Sequence, residues 1–147
     1  MQAELLQKYA ELVVNVGVNI QKDQILVINS PIECADFARR ISEAAFKAGA
    51  HDVVMSWGDD LSAHIRYEHG KKELFTEFPE WRVKFYQGYA EQGAAFVSIA
   101  ARDPQIFSDI EPEKLKLANQ AAGAALLEYR EPLMSNKNTW CMVSVPT

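Results

Sequence analysis

Residues 24–57 read QILVINSPIECADFARRISEAAFKAGAHDVVMSW, and the fold is decided there. Ile25, Leu26, Val27 and Ile28 open the stretch as a short continuous apolar run, the pattern of a strand buried on both faces. Val53, Val54 and Met55 close it with a second such run. Between them the period is helical: Cys34, Phe37, Ala38, Ile41, Ala45 and Ala48 fall on one side of a 3.6-residue wheel. Ser30 predicts an N-cap, Pro31 the first helical position and Glu33 the side chain that reaches back to the cap. Gly49 predicts the stop, because glycine takes the left-handed conformation of a helix end without steric cost. Strand, capped helix and strand within about 33 residues make a right-handed βαβ crossover, the nucleus of a parallel sheet.

Working outward, Leu5, Leu6, Tyr9, Leu12, Val13 and Val16 predict a helix packed on the sheet, stopped by Gly17, with a polar turn over Asn19 to Asp23. After Trp57, Gly58-Asp59-Asp60 reads as a strand-to-helix loop that caps a helix from about Asp60 to His69, ended by Gly70. Trp81, Phe85 and Tyr89 share one face of a helix beginning near Pro79. Ala94 to Ala100 predicts a third buried strand, Asp103 and Pro104 the start of a short helix through Ser108, and Pro112 the opening of a longer helix. The longer helix turns Leu115, Ala118, Ala122, Ala125, Leu126 and Tyr129 inward, and Pro132 ends or kinks it. Asn138 to Thr147 holds a fourth strand. The alternation predicts an α/β protein: an open, mainly parallel sheet of about four strands with helices on both faces. The sequence stops at a strand end, Pro146-Thr147, where such sheets place their useful loop, so a piece of a longer polypeptide is expected.

The 147 residues suffice for one domain with a real core. A net charge of −5 and the lack of any Lys/Arg run argue against nucleic acid as a partner. No apolar run approaches the roughly 20 residues of a membrane span, and the MQAELLQKYAEL start is amphipathic rather than a signal peptide, so no membrane partner and a cytoplasmic location are expected. Cys34 and Cys141 read as buried thiols of a reducing compartment.

Recognisable chemistry is sparse. No glycine-rich phosphate loop follows the first strand, where the chain reads INSPIE, and no nucleophile elbow surrounds Ser30. His64 and His69 lie about 140° apart on a helix and cannot chelate one ion, while His64 and Glu68 share a face but lack a third ligand nearby. Asp59 and Asp60 form a candidate carboxylate pair for acid–base or metal work, with helix capping the plainer account. Arg66, Arg102 and Asp103 fall near carboxyl ends of strands, where ligands approach an open sheet. Arg102 is the best of them to hold a carboxylate, although a surface ion pair accounts for it as well. Substrate-cavity candidates are therefore Asp59, Asp60, Arg66 and Arg102, with no catalytic or metal-ligating residue assigned. The aromatic stripe reads as core or interface.

Three stretches taken together carry a family resemblance: QKYAELVVNVGVNIQKDQILVINSPIE, EAAFKAGAHDVVMSWGDDLSAHIRYEHG and GAAFVSIAARDPQIFSDIEPEKL. With the YAELV helix ending in GVN, the DD and RYEH that follow the AGA strand, and the DP and EPEK after the third strand, the whole chain resembles the N-terminal region of the thermophilic-type metallo-aminopeptidases, the family of aminopeptidase T, aminopeptidase S and PepS. The resemblance implies that residues 1–147 are the N-terminal α/β domain of a longer, cytoplasmic, homodimeric two-domain aminopeptidase acting on peptide substrates. Its C-terminal catalytic domain, absent from this chain, would hold two divalent metal ions (Co, Zn or Mg). The 147 residues alone are then expected to bind no catalytic metal and to cleave nothing. Two other readings stay open: a stand-alone small-ligand-binding α/β domain, and an interaction module built on Trp81, Phe85 and Tyr89.

Overall fold

The computed structural model describes residues 2–101, 103–127 and 138–145. Four strands, β1 (Ile25–Pro31), β2 (Asp52–Gly58), β3 (Ala95–Ala100) and β4 (Trp140–Ser144), form one sheet in the order β2-β1-β3-β4. All three pairings are parallel, with Leu26 opposite Val53 on one side and Ala95 on the other. Helix α1 (Ala3–Leu12) precedes β1, α2 (Ala35–Lys47) joins β1 to β2, α3 (Asp60–His69) and α4 (Glu80–Glu91) lie between β2 and β3, and α5 (Pro112–Ala125) follows β3. The expected α/β architecture is what folds.

Strand alternation sorts the side chains to two faces. Leu26, Ile28, Val53, Met55, Ala95, Val97, Ile99 and Val143 meet α1 and α2, with Phe37, Ala38, Ile41 and Ala45 completing the larger core. Ile25, Val27, Val54 and Phe96 meet Phe85, Tyr86, Tyr89 and Ala90 of α4 on the opposite face. Leu26, Val27 and Ile28 are each 0% exposed, so β1 has no wet side.

Several local expectations change. Ser30 does not cap α2: it is the sixth residue of β1, opposite Trp57, and its hydroxyl donates to the Pro31 carbonyl at 2.9 Å. Pairing in the strand outcompetes the cap, and the chain enters α2 through a 3₁₀ turn at Ile32–Cys34. At the other end Gly49, with φ +104°, follows the cap residue Ala48 and stops the helix as expected, but Ala48, expected on the apolar side, is exposed. In α1 the buried residues are Leu6 and Ala10, continued by Val13 and Val14, whereas Leu5, Leu12 and Val16 face solvent. Leu5 and Leu12 lie on the outer side of the regular helix, and the π-helical turn at Val13–Gly17 that follows, closed by Val18 N donating to Val13 O at 2.9 Å, shifts the angular register for Val16. Residues 104–109 form successive turns rather than a helix, bonded i to i+3 from Asp103, Gln105 and Phe107. Tyr129 and Pro132 lie outside the described residues.

Buried Ile41 and exposed Leu61 give the packing its test. Ile41→Ala should lower unfolding free energy by about 2–5 kcal/mol in urea denaturation, whereas Leu61→Ala should stay within about 0.5 kcal/mol. Equal losses at the two positions would contradict this core.

Candidate functional site

The carboxyl edge of the sheet, where an open α/β fold presents its ligand loops, is built here by α3 and by the turns that follow β3. Asp59 leads into α3 with extended backbone (φ −137°, ψ 107°), and its carboxylate accepts from Leu61 N at 3.2 Å and from the Ser62 hydroxyl at 2.7 Å. That is an N-cap in full use. Asp60 follows as the first helical residue, its charge favourable beside the free N–H groups. Arg66 lies one turn and a half further on, its guanidinium 5.2 Å from the Phe75 ring centre. Asp59, Asp60 and Arg66 therefore lie on one helix at the rim, and Arg102 is outside the described residues.

Phe75, inside a 3₁₀ turn at Lys72–Thr76, anchors this rim. It is buried, stacks on Tyr67 at 4.9 Å, and lies under both Arg66 and Lys114, whose ammonium is 5.9 Å from the ring. Tyr67 meets Phe107 edge-on at 5.2 Å, and Lys114 Nζ donates to the Tyr67 carbonyl at 2.8 Å. The close approach needs Gly70: a Cβ there would sit 2.6 Å from Arg66 O and 2.9 Å from Leu74 Cδ2. Lys72 reaches Glu111 at 3.0 Å and Glu113 at 2.8 Å. Those hydrogen bonds and the facing charges raise the lysine above its ordinary range, and the bond from Lys72 holds Glu113 below the usual carboxylate value.

One group of side chains was not legible in the sequence as a group. His64 Nε2 lies 2.8 Å from Asp109 Oδ1, and His64 Nδ1 lies 3.4 Å from Glu68 Oε2. The contact with His64 lowers the Asp109 carboxyl from its ordinary value. Glu68 also has its other oxygen 3.7 Å from His69 Nε2. His64 and Glu68 show the expected shared face, and the third member comes from 45 residues downstream. Only the strand order, which sets the exits of β2 and β3 on either side of β1, could have announced it.

Elsewhere, an open groove of about 540 Å³ runs along the flank of α2 and β2, lined by Arg39, Glu43, Phe46, Met55 and Trp57 among others. It is open and has Glu43 already paired with Lys47 at 3.0 Å, so it gathers no catalytic group. Cys34 and Cys141 are free thiols whose pKa values burial pushes up, so neither is primed as a nucleophile.

Residues 2–147 match the family described as Thermophilic metalloprotease (M29). The chain belongs to this family. It is 43% identical to Aminopeptidase 2 of Geobacillus stearothermophilus and 38% identical to Aminopeptidase AmpS of Bacillus subtilis, over 97% and 96% of this chain and 34% of each relative. Against Aminopeptidase T of Thermus thermophilus it is 31% identical over 94% of this chain and 34% of that protein. The solved structure of wild-type AmpT from Thermus thermophilus superposes with a TM-score of 0.92 at 28% identity, covering 98% of this chain and 36% of that one. The chain thus spans about a third of the length of the curated relatives it matches.

A metalloprotease family implies a metal, which needs a set of converging donor atoms. Among the described residues, His64, Glu68 and Asp109 are the one group of three whose donor atoms lie within 4.8 Å of one another. Three donors cannot fill the shells of two ions about 3.5–4 Å apart, so these residues do not fit the paired centre that the family resemblance implies.

The Lys72 clamp makes a pH prediction. Glu113 has a folded pKa below its unfolded value, so its contribution is present above the unfolded value and disappears as pH falls through the lowered one. Lys72, raised, contributes below its unfolded value and loses that contribution only as pH climbs through the raised one. A carboxyl NMR titration should place the Glu113 midpoint below the ordinary glutamate range and return it there in Lys72→Met. An unchanged midpoint in the variant would show that the clamp does not form.

Proposed function

We propose that residues 1–147 are the N-terminal α/β domain of a longer aminopeptidase that releases N-terminal amino acids from peptides. The carrying observation is coverage: relatives named as aminopeptidases align with nearly the whole chain, yet each is about three times as long. The catalytic centre then belongs to the remaining two thirds, where two divalent ions (Co, Zn or Mg) would activate the attacking water. This chain's part is to wall the peptide cavity with its carboxyl rim, where Asp59, Asp60 and Arg66 stand together on α3, and to support a homodimer. Two free thiols suit a cytoplasmic, reducing setting.

The rim's chemistry favours this over a self-sufficient catalyst. Asp59 is spent on a helix end, where its carboxylate holds Leu61 N and the Ser62 hydroxyl. A ligand-binding module reading lacks support, because the first strand's exit carries a proline and a 3₁₀ turn instead of a phosphate-cradling loop.

The 147-residue chain, incubated with cobalt, zinc or magnesium and an aminoacyl chromogenic substrate, should release nothing. Joined to the polypeptide that corresponds to the rest of its relatives, it should release the N-terminal residue. Turnover by the 147 residues alone would end this proposal.

A further inference from the structure

His64 is held from both sides, and the two sides differ. A carboxylate accepts hydrogen bonds and donates none, so the 2.8 Å contact with Asp109 places the ring proton on Nε2. A neutral imidazole has one N–H and one lone pair. Nδ1, which then carries the lone pair, lies 3.4 Å from Glu68 Oε2, a second acceptor. Two acceptors this close without a hydrogen between them call for a cation. Donors about 2.1 Å from a tetrahedral ion stand about 3.4 Å apart, which is the separation found here. On the Asp109 side the 2.8 Å spacing is that of an ordinary hydrogen bond.

We propose that His64 Nδ1 and Glu68 bind one divalent transition-metal ion of the zinc or cobalt kind, with Asp109 as the carboxylate that orients the ring. The helix presents both ligands one turn apart on the same face of α3, on a backbone fixed by the Asp59 cap and by Gly70. Imidazole nitrogen selects zinc or cobalt over calcium and magnesium, which take oxygen shells. Glu68 and Asp109 are half exposed or more, leaving room for water to complete the shell. Asp109 plays the part that outer carboxylates play at metal-bound histidines, fixing the tautomer and raising the basicity of the ligating nitrogen.

The consequence is mechanical. Asp109 belongs to the turns after β3 and His64 to the helix after β2, so an ion on Nδ1 strengthens the Nε2–H bond to Asp109 and tightens the two exits against each other.

Titration of the 147-residue chain with zinc chloride, followed by calorimetry and by the histidine ring signals in NMR, tests the proposal. One equivalent should bind saturably at sub-millimolar zinc, shift the His64 ring but not that of exposed His51, and raise the melting temperature. Glu68→Gln and His64→Gln should each weaken binding by at least tenfold, Asp109→Asn by about tenfold, and His51→Gln not at all. Circular dichroism confirms that each variant is folded. Should a variant unfold, the wild-type ring shifts decide. No saturable binding, binding that survives Glu68→Gln and His64→Gln, or ring shifts confined to His51 or His69 would each overturn it; the first would assign the gap to a second proton on the ring.

Discussion

Complete burial of Leu26, Val27 and Ile28 is the constraint from which the architecture follows. A strand with no solvent on either face can leave no peptide group unpaired, so β1 needs a neighbour on each edge and gets β2 and β3. Both faces then need apolar covers. Alternation assigns Leu26 and Ile28 to α1 and α2, and Val27 to α4. Parallel neighbours can be reached only by crossovers, which is why helices separate the strands in the chain. The central strand decides sheet, layers and connectivity at once.

The same order of strands puts two distant connections at one rim. The exits of β2 and β3 flank that of β1, and between them α3, the 3₁₀ turn at Lys72–Thr76, the turns after Asp103 and the start of α5 close around Phe75. This second, smaller nucleus is only partly apolar. Tyr67, Arg66 and Lys114 cover the ring with π surface and two cations, and Lys72 bridges Glu111 and Glu113 outside it. Such a cluster gains less from burial than the sheet core does. Its geometry relies on directional contacts and on Gly70, which lets the chain fold back where any side chain would strike the Arg66 carbonyl.

Much of the fold was legible because it is written in local periods. The apolar runs at Ile25 and Val53 and the helix between them, the Asp59 cap and the bounds of α3 at Asp60 and His69 all depend on neighbours within a few residues. What failed depended on competition or distance. Ser30 has the chemistry of a cap, but sheet pairing claims it first. Leu5, Leu12 and Val16 fit a helical wheel as well as Leu6, Ala10 and Val13 do, and only packing against the sheet core decides which set is inside. Asn138, buried, donates from its amide to the carbonyls of Ala90 and Ala94 at 3.0 and 2.9 Å and so fixes the entry of β4. Nothing around it in the chain marks it. The candidate site was less legible than the fold: Asp59, Asp60 and Arg66 fall at the start of α3 and along it, Arg102 lies outside the described residues, and the pairing of His64 with Asp109 spans two connections.

The acids around the rim divide by what already holds them. Asp59 is taken by the first turn of α3, and Glu111 and Glu113 share Lys72. Asp109 is taken by the ring of His64. A carboxylate that accepts from fixed N–H groups has its charge offset by short bonds and its position set by them, so it resists moving toward a substrate. Glu68 differs: its described neighbours are the imidazoles of His64 and His69, at 3.4 and 3.7 Å, longer than the bonds that fix the others. On a rim otherwise closed by ion pairs and aromatic packing, the His64–Glu68 pair is where electrostatics leaves a charge to be met, and a cation, proton or metal, is what can meet it.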